Sequence, residues 1–382
     1  MKGCGWELHL YPGYFANLNP EIRDIRYHAF AQMMNKAISE GLGAFLKLSS
    51  IKTAKLKKAI DNPLVKILAK INDPEERSKH LVKTIQKVRP HIIHSMEFQS
   101  NGYLTLHAKK AMEGKFPAWL ATNWGSDIFL YGRFPEHREK IRELLSRCDY
   151  YSCETQRDVS LARGFGFKGS VLPVIPNSGG FDLARLASWR SSGRTSERRI
   201  IMIKGYQNWA GRALVAIRAL QRCLDVLGGY EVVVYLASGE DVKIACNLLS
   251  IDGNVKVTVL PPGQTHETIL RYHGQARISI GLSISDAVST SFLEAIAMGS
   301  FPIQSNTAAA DEWIEDGVTG MIVPPEDPEI IEKAIRKTLS DDEMVDRAAE
   351  ANWRTVTERL DYDTVKATAI GMYKKIYEEC CL

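Results

Sequence analysis

Residues 283–312 read SISDAVSTSFLEAIAMGSFPIQSNTAAADE, and the rest of the chain is organised around them. An apolar run typical of a buried strand, 276–280, precedes them, and apolar residues at helical spacing follow Ser291. The order of strand, loop, short helix and strand is the repeating unit of an α/β protein. Because the loop is rich in hydroxyl groups and ends at a helix start, where unpaired backbone N–H groups favour an anion, we expect it to bind a phosphate group.

The composition is that of a globular protein. The chain has 382 residues, of which 45% are hydrophobic and 25% are charged, and this length favours two domains. It contains no apolar run of about 18 residues and no apolar segment behind an N-terminal basic cluster, so we predict a cytoplasmic protein. Its seven cysteines form no CxxC pair and have no histidine at zinc spacing. We therefore expect reduced thiols and no metal site.

The positive charge of the chain is concentrated in residues 47–89. This stretch holds twelve Lys or Arg and four Asp or Glu, a net charge of 12 − 4 = +8, whereas the whole chain carries +4. Two interpretations stay open: a surface for anionic lipid head groups or nucleic acid, or a solvated face of ordinary helices. The apolar residues of the same stretch fit either a protein core or a membrane surface: Leu56, Ile60, Leu64, Ile67, Leu68 and Ile71.

From residue 91 onward, strand-like and helix-like segments alternate, which predicts a mainly parallel sheet covered on both faces. Ligands of such sheets bind beyond the carboxyl ends of the strands. The four predicted strand ends in the first half of the chain are polar or contain glycine: 94–97, 123–127, 152–154 and 176–180. This pattern is expected of a binding edge.

A second alternating series begins at 199–204, after an arginine-rich segment that is typical of a connection between domains. We predict a Rossmann-like N-terminal domain over 1–185, a linker over 186–199 and a second Rossmann-like domain over 200–360. Residues 361–382 are expected to form a helix that packs back toward the N-terminal domain.

The segment DAVSTSFLEAIAMGSFP, residues 286–302, resembles the acidic-x7-Glu signature of retaining glycosyltransferases of the GT-B fold, the family four type also called glycosyl transferases group 1. The resemblance is strongest over 199–323 and weaker toward both ends. It implies two Rossmann-like parallel-sheet domains facing a cleft, with a nucleotide-sugar donor as substrate and without a cofactor, a metal ion or a nucleic-acid partner. A dehydrogenase is disfavoured, because no strand is followed by GxGxxG with an acidic residue about twenty positions later.

The resemblance assigns the donor site to the second domain. Glu294 would accept hydrogen bonds from ribose hydroxyls, and Asp286 would hold hydroxyls of the donor sugar. Backbone N–H groups around Ser289, Thr290 and Ser291 would receive the diphosphate. An alternative for Glu294 stays open, since Ser291-x-x-Glu294 also fits a capping box.

The leaving diphosphate requires positive charge nearby. We predict that Arg212 supplies it, because Arg212 ends the loop that corresponds to the phosphate-contacting loop of the family. The usual Gly-Arg pair of the family is Gly205-Tyr206 in this chain and the usual lysine is missing, so Lys204 is a second candidate. Gly205 is expected to contact the donor in the same loop.

The first domain departs from the family pattern. Where the family often has His-Gly-Ser-Asp after a strand, this chain has NWGSD at 123–127, with Trp124 at the place of the histidine. His94, at a neighbouring strand end, either substitutes for that histidine or is a packed structural residue. Asp127 and Glu154 are candidates for positioning or deprotonating the acceptor hydroxyl, and turn or cap roles stay open for both.

Two further expectations concern the same domain. Asn177, at another strand end, is assigned to donor binding. Residues 5–10, GWELHL, resemble the second strand of the family although they lie within the first ten positions. We therefore expect the N-terminal domain to lack the family's first strand and helix.

The sequence thus predicts sugar transfer from a nucleotide-sugar donor to an acceptor hydroxyl with retention at the anomeric carbon, in cell-surface glycan or glycolipid synthesis. The catalytic set would be Asp286, Arg212, Asp127 and His94. A nucleotide-sugar epimerase on the same fold and a non-catalytic nucleotide-sugar binding protein remain open. The acceptor would be a glycan or a lipid-linked molecule. The basic stretch 47–89 favours the lipid-linked acceptor and peripheral contact with the inner face of an anionic membrane.

Overall fold

The computed structural model describes residues 4–11, 25–28 and 73–381. The apolar residues between 56 and 71 and most of the basic stretch 47–89 lie outside these ranges. Within the described residues the chain forms a separate two-stranded pair, a four-stranded sheet and a six-stranded sheet, all parallel. The two larger sheets, each alternating with helices, confirm the predicted α/β class with two Rossmann-like domains.

The N-terminal half holds the pair and the smaller sheet. The pair consists of β1 (His9–Leu10) and β2 (Arg26–Tyr27). The sheet follows chain order: β3 (Ile92–Met96), β4 (Ala118–Thr122), β5 (Tyr150–Ser152) and β6 (Ser170–Val171). Its helices are α1 (Pro74–Val88), α2 (Tyr103–Ala111), α3 (Ser126–Phe129), α4 (Pro135–Arg147) and α5 (Gln156–Gly164).

Local sequence signals explain where these elements begin and what they bury. The side chain of Asp73 accepts a hydrogen bond from the Glu75 N–H at 2.9 Å, and Pro74 follows as the first residue of α1. Trp119 of β4 and Phe98 are fully buried against α4. Burying an apolar side chain of this size contributes roughly 1.5–3 kcal/mol to stability.

The six-stranded sheet forms the C-terminal domain. Its strands are β7 (Ile200–Lys204), β8 (Glu231–Tyr235), β9 (Lys256–Val259), β10 (Ala276–Gly281), β11 (Phe301–Ser305) and β12 (Met321–Val323), in the order β12-β11-β10-β7-β8-β9. Its helices include α6 (Leu183–Trp189), α7 (Ala213–Gln221), α8 (Glu240–Gly253), α9 (His266–Gln275), α10 (Thr290–Ala297), α11 (Pro328–Ser340) and α12 (Asp342–Arg359). Because β10 and β7 are the central strands, the loops at their carboxyl ends meet in the middle of the domain edge.

The organising stretch has the predicted order: strand β10, a polar loop, helix α10 and strand β11. The strand and helix are almost entirely buried; for example, Ile278 and Leu293 have no exposed area. Gly299 has a φ of +79°, a left-handed conformation that lets the chain turn sharply between α10 and β11. Burial on both sides fixes the position of the loop before α10.

The connection between the domains is partly helical. The linker expected at 186–199 begins inside α6, which Asp182 caps by accepting a hydrogen bond from the Arg185 N–H at 3.0 Å. Within α6 only Leu186 is buried, at 4% exposure, and it packs with Val288 and Phe292 of the second domain. A short helix with one buried residue has little apolar periodicity, which is why the sequence pattern favoured a loop.

The last helix, α13 (Tyr362–Cys381), crosses back to the first domain. Its residues Met372 and Ile376 pack with Leu120 and Tyr150 of the four-stranded sheet. None of the helices in the described ranges is long and apolar enough to cross a membrane.

Candidate active site

The loop that follows β10 leads directly to the N-terminus of α10. Ser289 occupies the N-cap position with extended backbone angles, φ −69° and ψ 125°, and its side chain makes no cap hydrogen bond. The first N–H groups of a helix have no partner within the helix, and here the cap side chain does not satisfy them. Thr290 at the helix start is exposed. This helix terminus is therefore free to receive an anion.

Lys204 places a positive charge at this helix start. It is the last residue of β7, and its ammonium group donates a hydrogen bond to Ser289 Oγ at 3.1 Å. Burial lowers the pKa of Lys204, while the nearby carboxylates of Asp286 and Glu294 favour its charged form. The ammonium also lies 4.9 Å from the centre of the Tyr206 ring. Of the two predicted cations, Lys204 is the one whose side chain contacts Ser289 at this helix start.

Arg212 is held by its own loop. Its Nε donates to Glu326 Oε1 at 2.9 Å, and its Nη1 reaches backbone carbonyls of the preceding residues, including that of Gly211 at 2.9 Å. The backbone of the loop pairs with the organising stretch, because the Ile284 N–H donates to the Ala210 carbonyl at 2.9 Å. In this geometry Arg212 fixes the shape of the loop next to the site. Gly205 packs so closely that an added Cβ would lie 2.7 Å from Ala237 Cα.

Asp286 lies in the loop at the interface between the domains. Its Oδ1 accepts a hydrogen bond from the Ala287 N–H at 2.9 Å. Burial raises the pKa of Asp286, and the positive charge of Lys204 opposes this shift. Gly125 of the first domain packs on the same loop, since a Cβ at Gly125 would lie 2.8 Å from the Ala287 nitrogen. Only glycine permits this approach.

Glu294 is almost completely buried, with 7% of its surface exposed. Its Oε1 lies 2.6 Å from His266 Nε2. This contact raises the pKa of His266, whose side chain is 63% exposed at the start of α9. The capping-box alternative does not describe this geometry, because the N-cap is Ser289 and Glu294 pairs with a histidine from another helix.

The sequence pattern around His266 does not predict a role at this site. The fragment QTHET at 264–268 shows a helix start, with Thr265 accepting a hydrogen bond from the Thr268 N–H at 3.1 Å. Nothing in that local pattern connects it with a glutamate 28 positions later. The pairing arises because α9 and α10 pack side by side on the sheet.

His94 is bonded at both ring nitrogens. Nδ1 lies 2.7 Å from the Tyr373 hydroxyl of α13, and Nε2 lies 2.7 Å from Thr122 Oγ1. Burial lowers the pKa of His94 to about 4, so the ring is neutral near pH 7. The structure therefore places His94 between the sheet and the last helix, in the packed role that the sequence left open for it.

Asp127 organises the loop that carries Trp124. Its Oδ2 accepts hydrogen bonds from the Phe98 N–H at 2.9 Å and the Trp124 N–H at 2.7 Å. Burial raises the pKa of Asp127 well above its usual range, because the side chain is only 5% exposed. These contacts fit the turn-forming alternative for this residue.

Glu154 and Asn177 bond to each other at the edge of the first domain. The Asn177 N–H donates to Glu154 Oε1 at 2.7 Å, and its side-chain amide donates to the Asn123 carbonyl at 3.3 Å. Burial raises the pKa of Glu154 to about 8, and the charge of Asp286 adds to the shift. Glu154 thus faces the organising loop from the opposite domain, in a form that is largely protonated at pH 7.

Two residues that the sequence analysis did not single out join the domains at the site. The Arg157 guanidinium donates to the Asp286 carbonyl at 2.7 Å and to the Thr307 carbonyl at 3.1 Å. Glu312, the last residue of the organising stretch, accepts hydrogen bonds from the first two N–H groups of α5, at 2.8 and 2.9 Å. A carboxylate is favoured at a helix N-terminus, so Glu312 caps a helix of the other domain. Hydrogen bonds between side chains of one domain and the backbone of the other have no signal in a single sequence.

The structure thus brings together Lys204, Asp286, Ser289 and Glu294 at the carboxyl ends of the central strands. This group combines a cation, a free helix N-terminus and two carboxylates that accept hydrogen bonds. It suits a ligand with both phosphate and hydroxyl groups. The loop that ends at Arg212 adjoins this group through its backbone contact with Ile284, whereas His94 lies between the first sheet and α13.

Part of the chain resembles a known protein family. Residues 195–354 match the family model described as glycosyl transferases group 1. No curated protein sequence matches the chain.

Solved structures share the fold at low identity. Sucrose-phosphate synthase from Thermosynechococcus elongatus has a TM-score of 0.61 and 17% identity, covering 80% of this chain and 78% of its own. Trehalose 6-phosphate synthase from Burkholderia multivorans has a TM-score of 0.63 and 13% identity, covering 80% and 75%. HepE from Anabaena, in complex with UDP-glucose, has a TM-score of 0.58 and 15% identity, covering 78% and 82%. These likenesses establish the two-domain GT-B fold.

Proposed function

We infer from the group 1 glycosyltransferase domain at residues 195–354, set in a GT-B fold, that this protein transfers a sugar from a nucleotide-sugar donor to an acceptor hydroxyl with retention at the anomeric carbon. One observation carries the proposal: the ammonium of Lys204 lies 3.1 Å from Ser289 Oγ at the free N-terminus of α10. A cation and a helix terminus converge there on one point beside Asp286 and Glu294.

The proposed donor pose follows from the chemistry of these groups. The diphosphate would lie at the N-terminus of α10 and accept hydrogen bonds from its first N–H groups and from Lys204. Glu294 would accept hydrogen bonds from the ribose hydroxyls, and Asp286 would hold hydroxyls of the transferred sugar. Gly205 leaves room for the backbone of the neighbouring loop.

Lys204 would act most strongly as the glycosidic bond breaks. The electron pair of that bond moves to the diphosphate oxygen, where negative charge develops. A preorganised cation and helix N–H groups stabilise such a charge without a metal ion, and a single such donor is worth about 10²–10³ in rate. Retention rests on the family signature at 286–302.

The acceptor would approach from the first domain. Glu154 and Asp127 are the carboxyl groups nearest that approach, and both have raised pKa values. Glu154 is the better placed to contact an acceptor hydroxyl, because Asp127 already accepts two backbone hydrogen bonds.

We also propose a lipid-linked or cell-surface glycan acceptor at the cytoplasmic face of a membrane. The support is the charge of 12 − 4 = +8 over residues 47–89. Sedimentation with vesicles of anionic and neutral lipids, at low and high salt, tests it. Salt-sensitive binding to anionic vesicles alone supports the proposal, and equal binding to both or to neither contradicts it.

The experiment for the activity is incubation with UDP-, GDP-, ADP- and TDP-sugars, with and without saccharide acceptors. UDP-glucose comes first, because HepE was solved with it. Release of the nucleoside diphosphate, lost in Lys204→Ala and retained in the surface control Lys243→Ala, supports transfer. Epimerised donor without acceptor would indicate an epimerase, and binding without turnover would indicate a non-catalytic protein. If no donor binds or reacts, the proposal fails.

A further inference from the structure

Two exposed tryptophans lie at the cleft. All seven tryptophans of the chain fall within the described residues, and only Trp124 and Trp209 are more than about a third exposed, at 43% and 58%. An indole ring is one of the largest apolar groups in a protein and is mostly buried on average. Two exposed indole rings beside the same cleft therefore indicate a binding surface.

Both tryptophans flank the same four residues of the organising loop, 284–287. Trp124 adjoins Gly125, which packs against Asp286 and Ala287 so tightly that a Cβ would lie 2.8 Å from the Ala287 nitrogen. Trp209 adjoins Ala210, whose carbonyl accepts the Ile284 N–H at 2.9 Å. The residues that carry the two indoles therefore lie beside the loop of the proposed sugar-binding carboxylate, one in each domain.

Further aromatic rings extend this surface across the cleft. The Tyr131 ring of the first domain lies 6.3 Å from the Trp209 ring of the second, between ring centres, and 5.8 Å from the Phe134 ring. Phe134 is itself 38% exposed. We call Trp124, Tyr131, Phe134 and Trp209 the aromatic rim. Three of its four residues belong to the domain opposite the proposed donor contacts.

The surroundings of the rim indicate the chemistry of its ligand. Polar groups lie next to the rim. Asp286 Oδ1 would lie 2.9 Å from a Cβ at Gly125, the neighbour of Trp124. Arg133, the neighbour of Phe134, stacks on Phe129 at 4.4 Å. A pyranose ring presents an apolar C–H face for an aromatic ring and hydroxyl groups around its edge. Ligand sites of this type combine aromatic walls with a few polar contacts. A lipid hydrocarbon chain could not form hydrogen bonds with these polar groups.

We propose that the aromatic rim binds a pyranose ring of a saccharide acceptor, which makes the acceptor a glycan. This proposal rests on the proposed function, which supplies the donor on the other side of Asp286. Trp124 and Trp209 both fall where the sequence departs from its family, at the missing histidine and in the loop without its usual Arg and Lys. We assign both departures to acceptor recognition.

The test is calorimetric titration with maltotriose, cellotriose, chitotriose and mannotriose, and separately with four nucleoside diphosphates. We expect at least one trisaccharide to bind, and Trp124→Ala and Trp209→Ala each to weaken its binding by about tenfold or more, as truncation of a tryptophan at the centre of an interface does. Trp209→Tyr should restore part of the affinity, because it restores an aromatic face. Nucleoside diphosphate binding should be unchanged in all three variants.

Tyr377→Ala is the matched control. Tyr377 is a similarly exposed aromatic residue, at 40%, on α13, and it contacts His91 at the opposite edge of the sheet from the cleft. Saccharide binding should be unchanged in this variant, and thermal unfolding of all variants checks that they fold.

The outcomes separate the two proposals. If a nucleoside diphosphate binds but no trisaccharide does, or if the Trp→Ala variants bind trisaccharides as well as the parent protein, the rim proposal is overturned and the donor proposal stands. If the variants lose nucleotide affinity, the rim binds a base and the acceptor assignment is wrong. If trisaccharides bind through the rim but no nucleotide binds, the rim proposal stands and the donor proposal fails.

Discussion

Polar residues follow the strands of both domains, but the two sets are bonded in different ways. In the C-terminal domain, Lys204 bonds to Ser289 at a helix start whose N–H groups lack a side-chain cap. In the N-terminal domain, Asp127 bonds to two backbone N–H groups, and His94 is bonded at both nitrogens. The first set has unused hydrogen-bonding capacity at the cleft, whereas the second set holds its own loops and sheet together. A polar strand end is therefore a candidate binding site only if its donors and acceptors are not already satisfied by hydrogen bonds within the protein.

The largest effect should come from Lys204. Lys204→Ala removes the cation at the α10 terminus, and turnover with a productive donor should fall by about 10²–10³, or about 2.7–4 kcal/mol of transition-state stabilisation. Release of nucleoside diphosphate measures this. The surface variant Lys243→Ala should turn over normally. If Lys204→Ala kept more than about a third of the parent activity, Lys204 would not be the group that stabilises the leaving diphosphate.

Asp127 tests the other side. Asp127→Ala leaves the buried Phe98 N–H and the partly buried Trp124 N–H without their acceptor, which costs about 3 kcal/mol of unfolding free energy. Asp127→Asn keeps an acceptor oxygen but cannot act as a base, so we expect it to remain within about threefold of the parent turnover. Chemical denaturation and steady-state kinetics measure the two effects.

The exposed variant Asp252→Ala is the control for stability, with an expected change below about 0.5 kcal/mol. A fully stable Asp127→Asn protein that lost turnover a hundredfold would show that Asp127 acts in catalysis and does not only hold its own loop.

Glu294 sharpens the donor side. Glu294→Gln removes the charge that strengthens hydrogen bonds to ribose, and nucleoside diphosphate affinity should fall by about 2 kcal/mol, or roughly thirtyfold. Calorimetry measures it, with the exposed Glu240→Gln as control. If Glu294→Gln weakened the binding of inorganic pyrophosphate, which has no ribose, to the same extent, Glu294 would act on the phosphates and not on the ribose.

The smallest effect concerns pH. The contact with Glu294 raises the pKa of His266, so the imidazolium bound to this carboxylate is lost as pH rises through that pKa. Its contribution to stability is present at low pH and disappears at high pH, and it is small because the histidine side chain is 63% exposed. Arg185 opposes the shift.

The same titration should change donor affinity. Deprotonated His266 releases a Glu294 oxygen for the ribose, so nucleoside diphosphate affinity should rise by about two- to fivefold across this range. His266→Ala should flatten the profile at the high-pH value. A profile that is unchanged in this variant would show that the pair does not compete with the ligand.

The sequence predicted the fold and the location of the residues proposed to bind the donor, because both depend on local patterns. The strand, loop and helix around residues 283–312 are visible as apolar periodicity, and the family signature lies within them. The pairings that complete the site are not local. His266 meets Glu294 across 28 positions, and Arg157 reaches Asp286 across 129 positions.

Arg212 shows that a residue's place in the sequence does not determine which groups its side chain contacts. Its place in the sequence predicted a phosphate contact, but the direction of a long side chain depends on its partners. Glu326, 114 positions away, and the carbonyls of the preceding loop hold the guanidinium. Lys204 reaches Ser289 because β7 ends beside β10, and only the sheet order shows that these strands are neighbours.

The most direct test is calorimetric titration of the parent protein and of Lys204→Ala with nucleoside diphosphates. A donor site at Lys204 predicts that one nucleoside diphosphate binds the parent protein with one-to-one stoichiometry and that Lys204→Ala weakens this binding at least about tenfold. Absence of nucleoside diphosphate binding to the parent protein, or equal affinity in the two proteins, would contradict the donor site at Lys204 and the N-terminus of α10.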